Sequence, residues 1–133
     1  MPHDNVELVR KYFDAWNGAE FEPSAHDIDP AVEIDWSESH APYAGRYSGY
    51  DGWQRLFAEI RESFHGASVE VHEYRVIGPH VAVRSTAHMR GRDGIEVAAR
   101  STIVFSFRDN KIAAMRLYQD DADARAAIGP GAD

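Results

Sequence analysis

The chain has no cysteine, so disulfides, thiolate nucleophiles and zinc–thiolate centres are excluded, and nothing argues for an oxidising compartment. Long apolar runs are missing too. The longest, Ile112 to Met115, is far short of the roughly 20 residues a membrane-spanning helix needs. Residues 1–5 (MPHDN) carry an acid where a secretory signal needs basic charge followed by an apolar core. A cytoplasmic protein without a membrane partner is the expectation. Basic charge is scarce: 14 Lys and Arg stand against 22 Asp and Glu, a formal net charge of −8, which argues against nucleic acid as a partner. There is no glycine-rich phosphate loop and no Gly-x-Ser-x-Gly elbow. The seven histidines form neither His-x-His nor a helical His-Glu-x-x-His. No metal and no cofactor are expected.

What remains is 133 residues, 44% hydrophobic and 11% aromatic, the composition of one soluble globular domain. The charge is unevenly spread. Residues 1–73 carry a net −10, residues 74–119 a net +5, and residues 120–133 a net −3. Two explanations fit: acidic helices pairing with a basic sheet, or an anionic ligand held near the sheet.

Residues 5–17 read as an amphipathic helix, with Val6, Val9, Phe13 and Trp16 at helical spacing and Gly18 as its stop. A short strand is expected over 31–36, then a polar loop over 37–50. A second helix runs from about Asp51, its N-cap, to Phe64, with Trp53, Leu56, Phe57, Ile60 and Phe64 as its stripe and Gly66 beyond its end. After residue 67 the period changes from 3.6 to 2. Four strands are expected, at 68–77, 81–90, 95–107 and 111–119, separated by Gly78-Pro79, Arg92-Asp93-Gly94 and Asp109-Asn110. Helices followed by an antiparallel meander make an α+β domain: a curved sheet wrapped around N-terminal helices, cone-shaped and open at one end. Residues 129–133 read as a frayed tail.

Asp93-Gly94, taken as a two-residue type I′ turn, sets His88 opposite Ala99, Thr86 opposite Ser101 and Arg84 opposite Ile103. The odd residues of strand 95–107 are its more apolar set, so His88, Thr86 and Arg84 would face the cavity beside them. The strand 81–90 objects, because Val81, Val83 and Met89 lie on its other face. A polar row on an apolar concavity is what a binding site looks like.

Asp35, beside Trp36, is either a carboxylate against an apolar wall, suited to a general base, or an ordinary strand-end acid. His88 is either a base or donor on the pocket floor or an outward-facing histidine. The Tyr12 hydroxyl either reaches the cavity or anchors a surface. Thr86, Ser101 and Gln119 would sit near His88. Trp16, Trp36, Phe57, Ile103, Phe105 and Leu117 would wall the pocket, and Arg84 would line it.

The segments VRKYFDAWNG at 9–18, AVEIDW at 31–36 and PYAGRYSG at 42–49, with the closing FSF at 105–107 and MRLY at 115–118, resemble SnoaL-like proteins of the nuclear transport factor 2-like superfamily. The resemblance covers about residues 5–125 and implies the cystatin-like α+β cone. That fold hosts isomerases, cyclases, dehydratases, epoxide hydrolases and modules with no activity. Ketosteroid isomerases place a general-base Asp where Asp35 stands and a Tyr oxyanion donor one residue from Tyr12, while their second donor falls on Ile103. Arg84 matches the Arg of limonene-epoxide-hydrolase-like enzymes, whose two Asp positions fall on Thr86 and Leu117. Asp14 and His88 resemble the acid and histidine of scytalone-dehydratase-like enzymes.

The resemblance thus implies a cofactor-independent isomerase, cyclase or dehydratase removing a proton next to a carbonyl, of ketosteroid isomerase-like or polyketide cyclase-like type. Its catalytic set would be Asp35, His88 and Tyr12. The ligand would be a small apolar or aromatic, polycyclic carbonyl compound. The alternative is a non-catalytic ligand-binding or dimerisation module. A homodimer through the outer sheet face, with Arg100, Thr102, Val104, Arg116 and Tyr118, is expected in either case.

Overall fold

The computed structural model describes residues 2–17, 28–36, 45–91 and 94–119. The 129–133 tail and the Gly18 stop lie outside the described residues. Two helices, α1 (Pro2–Asn17) and α2 (Gly49–Ser63), accompany six strands: β1 (Ile28–Asp35), β2 (Arg46–Ser48), β3 (Phe64–Ile77), β4 (His80–Gly91), β5 (Glu96–Arg108) and β6 (Lys111–Tyr118). The strands form one curved, unclosed sheet in the order β2-β1-β6-β5-β4-β3. The expected elements are present with two additions, but α2 starts at Gly49, so Asp51 lies in its first turn rather than at its N-cap, and Phe64, expected on the α2 stripe, opens β3. A three-residue strand, β2, occurs where a loop was expected, and β3 begins four residues earlier than its alternation suggests. The sheet is also not purely antiparallel, because β1 runs parallel to β6.

The core lies between the helices and the inner face of the sheet. Val9, Tyr12 and Phe13 of α1 and Trp53, Leu56 and Ile60 of α2 pack against Val81, Val83, Ile103, Phe105, Met115 and Leu117. These are the i, i+3, i+4 rows of the helices and the alternate rows of the strands, which explains why both periods are visible in the sequence. Helix α1 is tied to the edge strand by Asn17, whose Nδ2 donates to Val69 O at 3.0 Å and whose Oδ1 accepts from Val69 N at 2.8 Å. Helix α2 lies so close to β2 that a Cβ on Gly52 would meet the Tyr47 backbone carbonyl carbon at 3.0 Å.

The hairpins fix the register. At β5–β6 both turn residues have positive φ, Asp109 at 53° and Asn110 at 62°, the two-residue type I′ geometry. At β4–β5 the expected two-residue turn is corrected. Gly91 N donates to Ile95 O, Gly94 N donates to Gly91 O at 3.0 Å, and Gly94 has φ 85°. The connection therefore spans three residues and ends in a left-handed glycine. The pairs become Ala87 with Ala99, His88 with Ala98, Thr86 with Arg100 and Arg84 with Thr102. One residue of slip moves a whole row of side chains to the other face.

Candidate functional site

Two surfaces of the sheet bear on function. The inner one carries Val81, Val83, Ser85, Ala87 and Met89 from β4, opposite Phe105, Ile103, Ser101, Ala99 and Val97 from β5. The alternation within β4 therefore outweighs the turn signal. His88, Thr86 and Arg84, expected on the inner wall, lie on the outer face. The His88 side chain is 49% exposed, and its Nε2 lies 3.0 Å from Glu70 Oε1. Thr86 Oγ1 lies 2.7 Å from His72 Nε2, and Arg84 Nε lies 3.9 Å from Glu73 Oε1.

Asp35 is also outward. Strand β1 buries Val32 and Ile34, as Trp36 just beyond it is buried, and turns Glu33 and Asp35 the other way. The Asp35 carboxylate is held between Arg46, at 3.6 Å, and Arg116, at 3.5 Å. These two arginines are its cross-strand neighbours. Three strand spacings separate β1 from β4, about 14 Å, so Asp35 and His88 do not converge. Asp14 is exposed on α1 and is not part of the inner wall.

Six of the expected residues are brought together on the inside: Tyr12, Trp36, Ser101, Ile103, Phe105 and Leu117. All except Ser101 belong to the core cluster, and Ser101 Oγ lies 3.5 Å from Ser85 Oγ. Gln119, just past β6, donates from Nε2 to Arg100 O at 2.6 Å. The side chains of Trp16 and Phe57 lie outside those described.

Tyr12 is the chemically distinctive inner group. Its ring meets Phe13, Trp53 and Phe105 edge-on at centroid distances of 4.9, 5.4 and 5.6 Å. Its hydroxyl has no hydrogen-bond partner among the described residues. Burial pushes the phenol well above its ordinary value of 10.0, so it stays a neutral donor.

Toward the outer face a cavity of about 660 Å³ is lined by His72, Arg84, Thr86, Arg100 and Thr102, with Gln119 at its end, and it also touches Ser85 and Ser101 of the inner row. Sequence reasoning did not place His72, Arg100 and Thr102 in a site, nor Ser85 on the inner wall. The pattern of β4, trusted over the turn, would have found Ser85. The acidic helices were expected to pair with the basic sheet, but among the described residues most ion pairs are made within the sheet. Asp35 pairs with Arg46 and Arg116, Glu73 with Arg75 and Arg84, and Glu96 with Arg90. The outer residues proposed for a dimer divide. Arg100 and Arg116 are exposed, whereas Thr102, Val104 and Tyr118 are buried within the chain.

A family model described as a SnoaL-like domain matches residues 9–115. No match was found among curated proteins. Similar solved structures include TerC co-crystallised with polyporic acid, at 18% identity over 94% of this chain and 98% of that one, TM-score 0.78. An NTF2-like protein of unknown function from Burkholderia pseudomallei K96243 is 16% identical over 94% and 97%, TM-score 0.79. A putative SnoaL-like polyketide cyclase from Jannaschia sp. CCS1 is 21% identical over 96% and 93%, TM-score 0.74. At these identities the likeness is one of fold. Among the described residues no helix is long and apolar enough to cross a membrane.

Proposed function

The chain belongs to the SnoaL-like domain family, and from that premise we propose that it binds a small, largely apolar carbonyl compound between the helices and the inner sheet face. The observation that carries this reading is the Tyr12 phenol, kept neutral by burial inside an aromatic cage and without a hydrogen-bond partner among the described residues. A neutral phenol donor in an apolar surround is suited to a ligand carbonyl. The partly buried Ala87, Ala99, Val69 and Val71 around the Ser85–Ser101 pair are small side chains, suited to leaving room for a flat or polycyclic body. TerC, a protein of the same fold, was co-crystallised with polyporic acid, which supports a small organic ligand.

A second reading, proton abstraction next to the carbonyl in an isomerase or cyclase, keeps Tyr12 as the oxyanion donor. The likeness to a putative polyketide cyclase favours it. Against it, Asp35, His88 and Asp14 all lie off the described inner wall, which supplies no base. Binding is therefore the reading the geometry supports better. A homodimer through the outer face would rest on its charged rim, since Val104 and Tyr118 are already buried.

Thermal-shift titration with apolar ketones, phenols and polyporic acid tests the binding. A rise in Tm is expected, with affinity falling about two- to tenfold in Tyr12→Phe, one neutral hydrogen bond's worth. No shift across the panel, or equal affinity in Tyr12→Phe, would overturn it. Hydrogen–deuterium exchange α to the ketone carbonyl, followed by NMR, separates the second reading. Protein-dependent exchange would move the assignment to an enzyme.

A further inference from the structure

The outer cavity touches Ser85 and Ser101 of the inner row, but the charged groups that line it, Arg84 and Arg100, belong to the opposite row and take no part in the reading above. Its floor is set by register. Arg84 stands opposite Thr102, and Thr86 stands opposite Arg100. The two guanidinium-bearing residues therefore occupy one diagonal of a square and the two hydroxyl-bearing residues the other. Diagonal neighbours on one face have Cβ atoms roughly 7–8 Å apart, near enough for two long arginine side chains to close on one group from both sides.

Among the described residues the charges around the cavity do not cancel, and no carboxylate lines it. The facing acids are on β3: Glu73, shared between Arg75 at 3.6 Å and Arg84 at 3.9 Å, and Glu70, engaged by His88 at 3.0 Å and His72 at 4.0 Å. Arg100 has no ion pair among the described residues. His72 adds direction, because its Nε2 lies 2.7 Å from Thr86 Oγ1. When that nitrogen carries the proton, the threonine oxygen accepts from it and its own hydrogen is left to donate into the cavity.

We infer that this cavity binds a hydroxylated organic oxyanion, with Arg84 and Arg100 holding the anionic group and Thr86 meeting a hydroxyl. Guanidinium forks match the paired oxygens of a carboxylate or a phosphate. The volume of about 660 Å³ fits a small metabolite rather than a bare ion. The lining is polar throughout, the reverse of the apolar wall on the inner face, and suits a sugar acid or sugar phosphate over a flat aromatic. The basic balance of residues 74–119 acquires a use here that its ion pairs leave open.

Calorimetric titration with gluconate and with glucose 6-phosphate, against inorganic phosphate and against sodium chloride at matched ionic strength, tests the assignment. Sub-millimolar binding of either organic anion is expected, and which of the two binds identifies the carboxylate or the phosphate class. Arg100→Gln should weaken it at least tenfold, while Arg46→Gln, on the same face but paired with Asp35, should leave it unchanged. NMR titration of the wild-type chain should move the amides of residues 84–86 and 100–102 first, a readout that needs no variant. Equal responses to all salts, unchanged affinity in Arg100→Gln, or shifts centred elsewhere would each overturn the inference.

Discussion

The two faces of this sheet differ in what holds them in place. The inner face is held by shape. Phe105, Val81, Val83 and Met115 are essentially inaccessible, and edge-on aromatic contacts join α1 to α2 once and to β5 twice. The outer face is held by charge and hydroxyl pairs that remain largely wet, such as Arg90 with Glu96 and His88 with Glu70. Apolar contacts in a packed core add up and cannot be rearranged cheaply, whereas exposed pairs are screened. Stability should therefore reside inside, and ligand-responsive polar chemistry outside.

The widest gap between the faces should appear on truncation. Phe105→Ala is expected to cost about 3–5 kcal/mol in urea unfolding, through lost burial and a cavity beside Tyr12 and Phe13. Arg84→Ala should stay within about 1 kcal/mol. Similar values would erase the contrast.

The faces should also titrate in opposite directions. The Tyr12 phenol has its pKa raised in the folded state, so its contribution is complete below the ordinary value of 10.0 and is lost as pH rises beyond it. Unfolding free energy should fall by about 1.4 kcal/mol per pH unit above that point, and Tyr12→Phe should remove this part of the slope.

The register itself can be broken at Gly94. Its positive φ of 85° strains any side chain, although a Cβ there meets nothing within 4 Å. Gly94→Val should cost about 1–3 kcal/mol by backbone strain alone. A neutral outcome in chemical denaturation would mean that the loop does not set the pairing.

Asp35→Asn sharpens the functional side of the comparison. Loss of its two arginine contacts should cost about 1 kcal/mol, with ketone binding on the inner wall unchanged. A tenfold loss of binding would return Asp35 to the site.

The smallest effect expected is at Glu70. The hydrogen bond from His88, then the charge of His72, holds its carboxyl below the ordinary 4.5. Its contribution is present above that value and is lost as pH falls through the lower folded one. Tm measured down through pH 4 should fall less steeply in Glu70→Gln than in the wild type. An identical profile would remove Glu70 from the acid response.

The sequence by itself determined both helices, five of the six strands and which residues of each make its apolar row, because those signals are local periods of 3.6 and 2. It also excluded thiol and disulfide chemistry, which is a matter of composition. Phe105, Ile103, Leu117 and Trp36 were legible as inner residues for that reason, whereas Tyr12, beside the α1 stripe, was left open between the cavity and a surface. Only the tertiary structure decided what faces what. Whether the β4–β5 connection holds two residues or three is invisible in Arg92-Asp93-Gly94, yet that single residue carries His88, Thr86 and Arg84 from the pocket to the outside. The parallel docking of β1 on β6 then places Asp35 beside Arg116, a partner 81 positions away that no local pattern in the chain foretells. The outer cavity exists for the same reason: its residues converge from β3, β4, β5 and the end of β6, and their meeting depends on how the strands are aligned rather than on any one strand's composition.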